Sequence, residues 1–120
     1  MLSHKSTLMT YIDTVPTASS IIIEYGPNYK PAGYKYVYVY KQTTYDLTSD
    51  RPHQLSVNVG DTIDVIAKRT ESSAEPVSGE WLLNSNSYGC SITFISAGIR
   101  EYVSRITVTS ENAYASVYLI

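Results

Sequence analysis

The sequence predicts an all-β fold, an Ig-like antiparallel β-sandwich built as a single domain, and three observations point there. β-Branched and aromatic residues gather in short runs bounded by Gly, Pro, Asn and Asp. No stretch keeps apolar residues at i, i+3, i+4 and i+7 over three turns, so no amphipathic helix is indicated. Several runs alternate apolar with polar residues, the period-two mark of a strand with one face on a core and the other in water. With 120 residues the chain has the usual length of one domain, and one core is expected.

In chain order, strands are expected at residues 8–14, 20–25, 34–45, 55–59, 62–69, 80–84, 90–95, 102–110 and 113–120. Ile21-Ile22-Ile23, the longest apolar run, centres the second. In the fourth, Leu55, Val57 and Val59 alternate with Ser56 and Asn58, and Ile63, Val65 and Ala67 resume the pattern after a Gly60-Asp61 turn. Near the end, Ile106 and Val108 alternate with Thr107 and Thr109, and Ala115, Val117 and Leu119 with Ser116 and Tyr118. A tight Glu111-Asn112 turn is expected to join these last two strands as antiparallel neighbours. Gly26-Pro27-Asn28, Pro31-Ala32-Gly33, Asp50-Arg51-Pro52 and Ala97-Gly98 separate other runs, and residues 70–79 read as a loop inside the domain.

Composition excludes several functions. Net charge is −2 with pI near 5.6, and the largest basic cluster is Lys68-Arg69, so the electrostatic footprint of a nucleic-acid binder is missing. Thr7, Thr10 and Asp13 interrupt any apolar stretch of signal-peptide length, so no signal peptide is expected, and no run approaches the roughly 20 apolar residues of a membrane span. The single Cys90 forms no intrachain disulfide.

For catalysis, the usual nucleophiles and bases reduce to His4, His53 and Cys90. His53 follows Pro52 and reads as a solvated turn residue, and Cys90 as a small buried hydrophobe. Asp61 and Asp64 are too thin a pair for calcium, no zinc spacing occurs, and the six glycines are scattered rather than grouped in a phosphate loop. The expectation is a non-enzyme with no catalytic residue, metal or cofactor.

Half of the chain carries a family resemblance. Val59-Gly60-Asp61-Thr62-Ile63 resembles the start of strand B in bacterial and phage Ig-like (PKD-type) domains, and Trp81 stands where that family has its strand C tryptophan. Phe94-Ile95-Ser96-Ala97-Gly98, then Tyr102 and Arg105-Ile106-Thr107-Val108-Thr109, resembles the family's path through strands E and F, although Ile99, Arg100 and Glu101 separate Gly98 from Tyr102 where the family has one residue. The resemblance implies an Ig-like core over residues 55–120, with Trp81, Val65, Phe94, Tyr102, Ile106, Val108 and Val117 inside it. Residues 1–54 would add N-terminal strands or an attachment segment.

Twelve tyrosines against one Phe and one Trp are the compositional anomaly. Tyr34, Tyr36, Tyr38 and Tyr40 recur at period two and must project from one face of a strand, opposite Lys35, Val37, Val39 and Lys41. One reading makes them, with nearby Tyr29, a contact surface, since Tyr offers a large rigid apolar area with a polar tip. Another makes them an aromatic ladder covering one face of the sheet, with Val37 and Val39 in the core.

Small Ig-like proteins of this kind are mounted on the capsids or tails of tailed bacteriophages. The resemblance therefore implies a structural protein engaged in protein–protein interaction, an auxiliary virion subunit for capsid decoration or stabilisation, located on the virion and attached through the tyrosine-rich face. The alternative is a carbohydrate-binding or adhesion module in which Tyr29, Tyr34, Tyr36 and Tyr38, with Asp46 or Asn28, contact a glycan. A homo-oligomer is compatible with either.

Overall fold

The computed structural model describes residues 15–25, 33–70, 81–83, 87–98 and 100–119, the side chains of 81–83, 118 and 119 excepted. Among the described residues there are nine strands: β1 (Ala18–Tyr25), β2 (Tyr34–Tyr40), β3 (Thr43–Asp46), β4 (His53–Asn58), β5 (Thr62–Arg69), β6 (Trp81–Leu83), β7 (Cys90–Ala97), β8 (Glu101–Val108) and β9 (Asn112–Leu119). Among the described residues there is no helix, and the all-β expectation holds. The strand expected at residues 8–14 lies outside the described residues.

The strands form two sheets, one of order β4-β1-β9-β6 and one of order β3-β2-β5-β8-β7. Ile21 and Ile23 of β1, Val57 of β4 and Ala113, Ala115 and Val117 of β9 share one core cluster with Ile63, Val65 and Ala67 of β5 and Ile106 and Val108 of β8. The alternation read in each strand thus selects the residues that meet between the sheets. This is a β-sandwich, and both layers contain strands from before and after residue 54.

Three expectations about connectivity need correction. First, β8 and β9 are not neighbours. β8 pairs with β5 and β7, whereas β9 lies in the other sheet, parallel to β1 and antiparallel to β6. Alternation shows which residues face the core and is blind to the layer they face it from. What turns the chain is Gly89, whose carbonyl accepts the N–H groups of Thr109 (2.9 Å) and Ser110 (3.3 Å). Its φ is +70°, and a Cβ there would sit 2.3 Å from the Asn112 carbonyl oxygen, so only glycine fits.

Second, residues 34–45 form a hairpin rather than one strand. Lys41 and Gln42 have φ of 47° and 68°, and Tyr40 pairs with Thr43 across this two-residue turn. Positive φ at both central positions is the I′ geometry that matches strand twist. Neither residue is among the Asn, Asp or Gly that advertise such a turn, which hides it from sequence.

Third, the strand letters of the Ig-like resemblance do not carry over. Reading β5 as strand B, β8 as F and β9 as G would put B and F in opposite sheets and G beside F. Here β5 and β8 are hydrogen-bonded neighbours and β9 is in the opposite layer.

Candidate functional site

The tyrosines of β2 turn inward. Tyr34, Tyr36 and Tyr38 are 7%, 4% and 4% exposed and belong to the core cluster, with half-buried Tyr40 packed against it. The expected contact face is therefore not at the surface. The physical reason lies on the neighbouring strand, where Tyr36 is paired with Ala67 and Tyr38 with Val65. Small residues there leave room for large rings between the layers.

The rings then pack on one another: Tyr25 and Tyr36 have centroids 4.6 Å apart, Tyr34 and Tyr102 6.2 Å. Val37, on the opposite face of β2, is also buried, its cross-strand partners being Ile66 and Asp46. Tyr29 and Asn28 lie outside the described residues.

The polar tips reach the rim. Tyr40 Oη donates to Asp61 Oδ2 at 2.5 Å, and the same oxygen accepts the Asn58 N–H at 3.0 Å. The Tyr40 hydrogen bond holds the Asp61 carboxyl below its usual range. Burial, then the bond to Asp61, pushes the Tyr40 hydroxyl up to about 12. Asp64 is engaged elsewhere, forked by Arg105 Nε at 2.7 Å and Nη2 at 3.2 Å across the β5–β8 pair. Among the described residues no group of three or more His, Cys, Asp and Glu could hold a metal ion.

His53 departs from its expected place in solvent. It is 5% exposed, the first residue of β4, with Nδ1 3.4 Å from Tyr38 Oη. On the other side of the ring, Nε2 accepts the Thr48 backbone N–H at 3.1 Å. The imidazole thus pins the 47–52 loop onto the aromatic layer. The signal was present, because His53, Leu55 and Val57 continue one alternating row two residues earlier than the strand was begun. Cys90 is half-buried, its thiol donating to the Tyr114 carbonyl at 3.6 Å and pushed up by burial, so it packs rather than reacts.

Of the expected core, Val65, Tyr102, Ile106, Val108 and Val117 are buried, and the Trp81 side chain lies outside the described residues. Phe94 is the exception at 41% exposed, followed by Ile95 at 43%. Both are on β7, the outermost strand of its sheet, where the second flanking strand that would shelter them is missing among the described residues. Tyr45, expected from its place beside the tyrosine run to enlarge a contact patch, is exposed and stacked on Tyr38 at 5.0 Å, whereas Tyr25, expected to do the same, is buried. Tyr88, stacked on Tyr114 at 5.8 Å, is also exposed, and its isolated position in sequence gives no period to notice.

The outer strands β3, β4 and β7, each with one open side among the described residues, differ in character. β3 has four residues and ends at Asp46, paired with Lys35 at 3.3 Å, and β4 begins after Pro52. Short length, charge and proline all blunt an edge. β7 runs for eight residues with no charge and no proline, its one irregularity a bulge between Phe94 and Ser96. An open groove of about 340 Å³ lies elsewhere, beside the hairpin, where Tyr34, Tyr36 and Asp46 of the glycan expectation meet Lys35, Thr48 and Asp50.

Comparison with protein-family models, curated proteins and solved structures finds no match to this chain. The fold and these surfaces therefore carry the functional argument. No helix among the described residues is long and apolar enough to cross a membrane.

Proposed function

We propose that the chain is a non-enzymatic structural subunit that joins a larger protein assembly through the free edge of β7. The observation that carries this reading is an uncharged eight-residue edge strand with adjacent Phe94 and Ile95 at 41% and 43% exposure. Paired apolar side chains left open at a sheet edge mark interaction sites. The family resemblance suggests the setting, an auxiliary subunit on a tailed-phage virion, with the attachment surface moved from the tyrosine face to this edge.

The test is co-sedimentation with particles assembled from the structural proteins encoded beside it. Saturable attachment, weakened at least about tenfold by Phe94→Ser with Ile95→Ser, is the expected result. No attachment, or attachment indifferent to the double substitution, rejects the reading.

The groove at Tyr34, Tyr36 and Asp46 favours a second reading, a glycan-binding module. Its polar rim can bond sugar hydroxyls, but both rings are nearly buried and offer little face for stacking. Glycan-array binding lost in Asp46→Ala would support this reading over the first.

A further inference from the structure

The hydrogen-bond pattern of β8 fixes which backbone groups of β7 turn to its outer side, where no strand lies among the described residues. Val108 turns its N–H and C=O toward the β5 side, donating to the Asp61 carbonyl at 2.9 Å and accepting from Gly60 at 2.8 Å. Thr109 turns the other way and donates to Gly89 at 2.9 Å. In an antiparallel ladder these roles alternate. Cys90, Ile92 and Phe94, paired with Val108, Ile106 and Ser104, are therefore in non-hydrogen-bonded pairs, and their N–H and C=O groups point away from β8 to the open edge. The bulge after Phe94 ends this regular stretch.

Resting on the reading of β7 as the contact site, we propose that its partner strand is β7 of a second copy of this chain, so that the chain enters its assembly as a pair and attachment to a particle depends on that pair. Three free residues spaced by two are self-complementary about a two-fold axis through the central one. Ile92 meets Ile92, and Phe94 of one copy meets Cys90 of the other, each residue giving and receiving one backbone bond. The side chains match as well as the backbone. On the core-facing side, the half-exposed Phe94 ring lies against the small Cys90 of the other copy, large against small, and the two five-stranded sheets become one continuous sheet.

Charge is compatible with the antiparallel arrangement. Arg100 and Glu101 lie together beyond the far end of β7 and offset one another, and Glu111 lies next to its beginning, so the ends of the strand do not oppose pairing in opposite directions. A charged foreign strand would find no counter-charge on β7 itself.

The same register makes the test specific, because exposed Ser91 of one copy faces exposed Thr93 of the other. Sedimentation equilibrium of the full chain should show a concentration-dependent dimer. Ser91→Lys with Thr93→Lys should raise its dissociation constant at least about tenfold by like-charge opposition, with the thermal transition retained in circular dichroism. Mixing that variant with Ser91→Glu and Thr93→Glu should restore a heterodimer.

A wild-type chain that stays monomeric across the concentration range, or a lysine variant that dimerises as well as wild type, overturns the proposal. Particle attachment by such a monomer, lost with the lysine substitutions, would leave β7 as the contact site and remove only the self-pairing.

Discussion

β2 and β7 both carry bulky apolar side chains in a five-stranded sheet, yet one is sealed in and the other is open. β2 lies between β3 and β5 and faces Ile21, Ile23 and Val57 of the other sheet through the shared core, so three of its four tyrosines become core and the fourth, Tyr40, packs half-buried against it. β7 has β8 on one side and no described strand on the other, so Phe94 stays exposed although it continues the inward row of Ile92. Composition alone would rank the two strands the opposite way. What decides exposure is the number of neighbours a strand has and the layer it meets, and both are properties of topology.

The strongest way to break this contrast is to truncate a ring in each strand. Tyr36→Ala removes a buried aromatic packed against Tyr25 and should destabilise the chain by about 3–5 kcal/mol in urea unfolding. A surface contact residue would change stability by a few tenths at most, so a small effect would return the tyrosines to the interface.

The connection that separates β8 from β9 is the next most sensitive point. Gly89→Ala forces a side chain into a left-handed residue with the Asn112 carbonyl 2.3 Å from the added carbon. The expected loss is about 2–3 kcal/mol. An unchanged melting temperature would mean that the chain can cross between layers without this glycine.

At β7 the same kind of substitution should do less to the fold for each side chain removed. Phe94→Ser with Ile95→Ser should cost about 2 kcal/mol for the two together, because both side chains are already more than one-third in water. A loss comparable to that of Tyr36→Ala would show the edge to be core, and the attachment proposal would lose its surface.

The elements themselves were legible in the residues. The sequence places β5 at its observed ends, Thr62–Arg69, because Ile63, Val65 and Ala67 alternate cleanly after the Gly60-Asp61 turn and before a polar stretch of sequence. Pairing was less legible. Alternation specifies the inward row of β9 and cannot say that its neighbours are β1 and β6, since that depends on a crossover held by one glycine. The candidate site was misread for a related reason. A period-two row of tyrosines looks the same whether Ala67 and Val65 or solvent lies beside it. Phe94 was assigned to the core by its place in an alternating pattern, and an edge position is invisible to that pattern.

Tyr40 marks the boundary between the two regimes, the point where the buried row reaches water, and its hydroxyl should reveal that boundary through pH. Tyr40→Phe removes the bond to Asp61 Oδ2 and should cost about 0.5–1 kcal/mol at neutral pH, a modest value because solvent screens the pair. The folded-state Tyr40 hydroxyl titrates at about 12, above its ordinary 10.0, so its contribution is complete below the lower value and fades as pH rises through the upper one. Asp61 is shifted the other way. Its carboxyl is held below the ordinary 3.8, so its contribution is present above that value and disappears as pH falls through the depressed one. The stability difference between wild type and Tyr40→Phe should therefore be flat from about pH 5 to 9 and shrink in both acid and strong alkali. A difference that persists unchanged into acid would mean that Asp61 does not accept this hydroxyl and that the tyrosine row ends in solvent unpaired.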